Sequence, residues 1–157
     1  MNFHEGSMAR PDSVSGGEQY LDSVVRTASP AKLRLMLIER AVGVSRSLEV
    51  AWRDNPEQGA NDQSLKLFDL INELLRGVVG SKHGDGEELC KQVSDLYVFL
   101  LKHLLLAEQS SDVKSIEEIR AVLQVEAETW RSVCANELPV APAHSGSGTS
   151  SGLNLEA

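Results

Sequence analysis

The chain has 157 residues, of which 41% are hydrophobic and 4% aromatic, and it carries a formal net charge of −8 at pH 7. That length is enough for one domain with a real core, and an apolar set dominated by Leu, Val, Ile and Ala suits helix packing better than a β-sandwich. The acidic balance repels nucleic-acid backbones and anionic lipid, with no basic patch to offset it, and no apolar stretch reaches the roughly 18 residues of a membrane span. Nucleic-acid and membrane-insertion roles are therefore excluded. Residues 1–10 lack the apolar core of a signal peptide, which makes the cytoplasm the expected address.

Residues 1–18 hold Pro11, Ser13, Ser15, Gly16 and Gly17 with few large apolar groups, so burial does not offset their ordering entropy and a disordered segment is expected. A helix is predicted to follow Ser29-Pro30, with Ser29 as N-cap and Pro30 at the first helical position, where no donor is needed. Leu33, Leu37, Ala41, Val44, Leu48 and Ala51 recur at spacings of four and three and read as its core stripe. Leu35, Ile38 and Val42 form a second stripe on a neighbouring flank that needs its own cover, and Asp54-Asn55-Pro56 ends the helix. The next helix starts near Asp62 and carries Leu67, Phe68, Ile71, Leu74, Leu75 and Val78 before Gly80. Asp85-Gly86-Glu87-Glu88 reads as a capping box for a third helix over about Glu87 to Gln109. A fourth starts near Asp112, places Ile116, Ile119, Val122, Leu123, Ala127, Trp130 and Cys134 on one face and closes before Pro139. The stretch from residue 138 to 157, rich in Pro, Gly and Ser, reads as a disordered tail. Short connections make sequential helices neighbours. The expected architecture is therefore an all-α, antiparallel up-down four-helix bundle over residues 19–137 with a short N-terminal arm.

The third of these helices stands out. Leu89, Val93, Leu96, Leu100 and Ala107 make an expected seam, yet Val98-Phe99-Leu100-Leu101 and Leu104-Leu105-Leu106-Ala107 are each four apolar residues in a row, which go all round a helix. Side chains such as Val98 and Leu105 must point away from the seam. Either the helix is wedged deep among the others, or part of this surface is a groove for an amphipathic segment.

Chemistry-bearing patterns are thin. There is no Walker or Rossmann phosphate loop, no G-x-S-x-G elbow and no H-E-x-x-H pair. His4 and His144 lie in the end segments, and His83 with Cys90 is too sparse for a metal site, so no enzyme activity, cofactor or metal is expected. Cys90 and Cys134 read as free thiols; antiparallel packing of the last two helices would bring them to a similar level, but a reducing compartment disfavours a bridge. His103 raises the alternative of a histidine phosphotransfer module, which needs an exposed ring. It follows Leu100 at i+3 and precedes Ala107 at i+4, which reads instead as a packed, hydrogen-bonded histidine at the seam margin.

Three motifs stand in register along the chain: Tyr20, Val25, Thr27, Ala28 and Pro30 make a Tyr-x4-Val-x-Thr-Ala-x-Pro pattern leading to Leu33 and Leu35-Met36-Leu37; Gly86-Glu87-Glu88-Leu89 leads to the pair Leu96-Tyr97, then Leu104 and Ala107; and Thr129-Trp130 closes the last helix. Together they resemble the flagellar export chaperones of the FliS family. Ile38 stands where Tyr is usual in the family and Arg40 where Gly is common. The resemblance implies a cytoplasmic chaperone that binds the disordered C-terminal segment of flagellin, prevents premature polymerisation and delivers it to the flagellar export apparatus, without turnover. It also implies a role for Tyr20, Leu21, Val24 and Val25 in an arm covering Leu35, Ile38 and Val42. Together with Tyr97, Val98, Leu101, Leu105 and Leu106 these form the candidate partner-binding set. A structural, self-associating bundle is the further alternative, because a homodimer would cover the same surface.

Overall fold

The computed structural model describes residues 16–79 and 86–137, leaving aside the side chains of 24–26. The described residues are all-α, with no strand: α1 (Gly16–Thr27), α2 (Pro30–Asp54), α3 (Asp62–Val79), α4 (Glu87–Glu108) and α5 (Val113–Ala135). The expected disordered segment over 1–18 lies mostly outside these residues, but its last part is helical, since α1 begins at Gly16. The expected tail over 138–157 lies outside them altogether.

The helix starts follow local chemistry. Ser29 caps α2 by accepting from the Lys32 N–H at 3.1 Å, with Pro30 opening the helix, and Asp112 caps α5 by accepting from the Lys114 N–H at 3.1 Å. Beside Asp112, the Ser115 hydroxyl, followed by the N–H groups of Ser115 and Lys114, holds its carboxyl below the usual aspartate value. At α4 the N-cap is Gly86, which has no side chain to offer, so the capping box centred on Asp85 is replaced by a helix starting one residue later; Asp85 itself lies outside the described residues. Glu87 and Glu88 still place negative charge in the first turn, where the helix dipole favours it.

In the helical bundle α2 packs on α3 and α5, and α4 packs on α3 and α5. Early α2 meets late α5 through Glu39 and Arg131 at 3.1 Å, while late α2 meets early α5 through Arg53 and Glu117 at 2.8 Å and through the Glu49–Arg120 pair. Late α4 meets early α5 through His103 and Glu118, and mid α4 meets later α5 through Tyr97 and Glu126. The core is aliphatic, with Trp52 and Tyr97 as its large aromatics. One end is fastened by loop contacts. Trp52 Nε1 donates to Gly59 O at 2.8 Å, and Gly59 N donates to Ser111 Oγ at 2.8 Å. Gly59 has φ +66°, and a Cβ there would lie 3.3 Å from Glu108 O, so this turn requires glycine.

The α2 seam differs from expectation. Leu35, Ile38, Ala41, Val42, Ser45, Leu48 and Trp52 are the buried positions, so the supposed second flank is the core itself. The expected stripe is offset by roughly 100°, one residue's rotation; of it, only Ala41 and Leu48 are fully buried, while Leu37 and Val44 pack at the core margin. Ser45 sits in this seam at no cost in unmet polarity because its hydroxyl donates to Val42 O at 2.7 Å.

Candidate functional site

The α4 seam is also rotated and shortened relative to expectation. Its buried residues are Tyr97, Leu100, Leu104 and Ala107, whereas Leu89 is 65% exposed. In the later part of α4, Leu104 and Ala107 are buried in the bundle. Toward its start it parts from α5, and a groove of about 610 Å³ opens between them. Leu89, Val93 and Leu96 form the α4 wall; Val122, Val125, Thr129, Trp130 and Val133 form the α5 wall, with Glu126 midway along it. Val125, a wall residue, is 64% exposed.

Beneath this groove lies a polar network that sequence reasoning missed. The Arg34 guanidinium of α2 lies 5.4 Å from the centre of the Tyr97 ring and 5.1 Å from that of Trp130. Its Nη2 donates to Tyr97 Oη at 2.8 Å, its Nη1 reaches Leu74 O at 3.5 Å, and the Tyr97 hydroxyl donates to Glu126 Oε2. One arginine thus ties α2, α3 and α4 together, and Tyr97 extends the tie to α5. Burial, then the hydrogen bond to the Glu126 carboxylate, pushes the Tyr97 phenol above its ordinary value, so it remains a neutral donor. Arg34 Nε is buried with no hydrogen-bond partner among the described residues. The only sequence signal was an arginine at position 34 between Leu33 and Leu35, inside an otherwise apolar turn.

The candidate residues divide three ways. Leu35, Ile38, Val42 and Tyr97 are buried, so a partner reaches them only if the helices part. Tyr20 is 70% exposed and Leu21 59% exposed, so neither of these two side chains is packed away in the described structure; the side chains of Val24 and Val25 lie outside the described residues. Val98, Leu105 and Leu106 are exposed and Leu101 is half-buried. Leu105 borders a shallow cleft against α3 with Leu65 and Phe68. Helical spacing puts Leu106 and the exposed Phe99 on the other flank of α4, away from Leu105. Leu89, Val93, Leu96, Val122, Val125, Trp130 and Val133, the groove lining, were not in the candidate set. Three had been assigned to the α4 seam, Val122 and Trp130 to that of α5.

His103 is partly buried, its Nε2 lies 2.9 Å from Glu118 Oε2, and its ring stacks on Phe99 with centroids 5.5 Å apart. That is the packed, hydrogen-bonded histidine expected from its spacing. Cys90 and Cys134 are both free thiols. Among the described residues no helix is long and apolar enough to cross a membrane, and no group of three or more His, Cys, Asp or Glu is placed to hold a metal ion.

Comparison with known proteins adds identity to this geometry. The family model "Flagellar protein FliS" matches residues 15–137, which spans the described helices. The flagellar secretion chaperone FliS of Escherichia coli (strain K12) is 27% identical over 111 residues, covering 71% of this chain and 80% of that protein. The protein of the same name from Salmonella typhimurium is 32% identical over 117 residues, covering 72% of this chain and 82% of that protein. With the fold all-α and the matched region coincident with the bundle, the chain belongs to the FliS family of flagellar secretion chaperones.

Proposed function

We propose that this protein is a cytoplasmic export chaperone that binds the disordered C-terminal segment of flagellin along the α4–α5 groove, prevents its premature polymerisation and delivers it to the flagellar export apparatus. The working unit is an antiparallel up-down four-helix bundle over residues 19–137, flanked by segments 1–18 and 138–157. One observation carries the reading: a chain of the flagellar secretion chaperone family leaves an open, largely aliphatic groove between two helices. An amphipathic helix laid there buries its apolar face against Leu89, Val93, Val125 and Val133. Each large anchor contributes about 1.5 to 3 kcal/mol before ordering costs, so three or four anchors suffice for micromolar binding or tighter.

The function asks for no turnover and no cofactor. A phosphotransfer role finds no support in the site, because the His103 ring is partly buried and its Nε2 is engaged by Glu118. Mixing the full chain with a flagellin C-terminal peptide tests the proposal. The expected result is heat in calorimetry and a gain of helical circular dichroism beyond the sum of the parts; no heat and no gain would sink it. Light scattering on the same samples distinguishes a 1:1 complex from a homodimer that covers the groove without client.

A further inference from the structure

Glu126 is the one ionised side chain in the walls of the apolar groove, and its two carboxylate oxygens are in different situations. Oε2 accepts the Tyr97 hydroxyl. Oε1 has no hydrogen-bond partner among the described residues and is not among the buried unpartnered atoms, so it is open to solvent on a residue that lines the groove. A client covering the groove with aliphatic side chains alone would strip water from this oxygen and give nothing back, a penalty that is larger for an ionised acceptor than for a neutral one.

The charge is already balanced on the protein's side. Arg34 Nη2 donates to Tyr97 Oη, and Tyr97 in turn donates to Glu126, so the guanidinium cation answers the carboxylate through the phenol. A second cation from the client would leave surplus positive charge between aliphatic walls. A neutral N–H donor instead completes the acceptor without adding charge. Resting on the client-binding reading above, we infer that Glu126 is a specificity-determining residue that selects, among amphipathic helical segments, one carrying an asparagine or glutamine amide in the middle of its apolar face. Position matters as much as chemistry. Glu126 lies between Val122 and Val125 on one side and Thr129, Trp130 and Val133 on the other, so the amide must have aliphatic anchors about one turn before and after it.

The test uses the full chain and three helical peptides that share four leucines on one face and differ only at a central position of that face, which is Gln, Leu or Glu. The flagellin C-terminal peptide is the positive control. For the unaltered protein, the Gln peptide is expected to bind about 10-fold more tightly than the Leu peptide and about 30-fold more tightly than the isosteric Glu peptide, the sizes expected for a hydrogen bond to a charged acceptor. In E126Q, which retains a carbonyl to accept from Tyr97, the Gln and Glu peptides are expected to fall within about 3-fold of each other. Melting of E126Q near the wild-type temperature shows that the bundle is intact. Equal binding of the Gln and Leu peptides, or an unchanged Gln-over-Glu ratio in E126Q, overturns the inference while a binding control leaves the chaperone reading standing. Failure of all three peptides and of the control overturns both.

Discussion

α5 takes part in two contacts that are built differently. Toward α2 its apolar face is buried through Ile116, Ile119, Leu123 and Ala127, the cleft left along that edge is lined mainly by polar groups such as Glu39, Arg46, Gln124 and Glu128, and the rim is laced by Glu49 with Arg120, Arg53 with Glu117 and Glu39 with Arg131. Toward α4 it closes only through the middle and late parts of that helix, and the rim elsewhere is Val125, Val133 and Leu89, all exposed. Surface ion pairs add little energy in themselves, typically about 0 to 1 kcal/mol. Their value at the first contact is that they let the edge of the core end in water-compatible groups. The second contact ends in aliphatic groups that water serves poorly, at about 25 cal/mol for each Å² left exposed. An edge of that kind is stable enough to fold and still gains by being covered.

The comparison is open to test, starting with the closed contact. Trp52→Ala removes a fully buried indole and its hydrogen bond to Gly59 O, and is expected to cost about 3 to 5 kcal/mol in chemical denaturation, whereas Leu106→Ala, on a side chain 62% exposed, should change stability by less than about 0.5 kcal/mol. Equal losses would mean that Leu106 is packed in the core. Next in size is the polar tie between the two contacts. Tyr97→Phe leaves Arg34 Nη2 and Glu126 Oε2 without their partner and should cost about 1 to 3 kcal/mol. It should also alter the alkaline limb. The folded-state value of Tyr97 lies above its ordinary 10.0, so its contribution is complete below pH 10 and is lost as pH rises above it toward the folded value; a stability-against-pH series should lose that slope in Tyr97→Phe. The smallest effect belongs to the ionic rim. Arg120 first, then Arg53, hold the Glu49 carboxyl below its ordinary 4.5, so its contribution is present above that pH and is lost as pH falls through the lowered folded value. Glu49→Gln should therefore lower stability at neutral pH by about 1 kcal/mol or less and converge with the unaltered protein as pH falls, which flattens the acid limb of a stability-against-pH series.

Much of the fold was legible from short-range signals. Ser29-Pro30 and Asp112 fixed helix starts, because a capping oxygen and a missing N–H act within a single turn. Asp54-Asn55-Pro56 and the Asp62 start bounded the second connection for the same reason. Which face of each helix is buried was harder. α2 carries two apolar stripes side by side, and the longer one, from Leu33 to Ala51, was the wrong one because the true seam runs through Ser45 and Trp52, one polar and one absent from the stripe. On α4 the seam was displaced by Tyr97, whose hydroxyl is tolerated inside only because Arg34 and Glu126 meet it there, and no periodicity reveals a partner contributed by other helices. The groove escaped for a related reason. Its α4 wall of Leu89, Val93 and Leu96 has the spacing of core residues, and only the divergence of α4 from α5 turns a seam into an open surface.

The most direct test of that open surface is a charge placed where it should block a client and spare the core. Val125→Glu, on an exposed α5 wall residue, is expected to keep the wild-type melting temperature and weaken binding of the flagellin C-terminal peptide by about 10-fold or more in calorimetry, since a carboxylate must then be desolvated between aliphatic groups. Undiminished affinity would contradict the assignment of the α4–α5 groove as the client site.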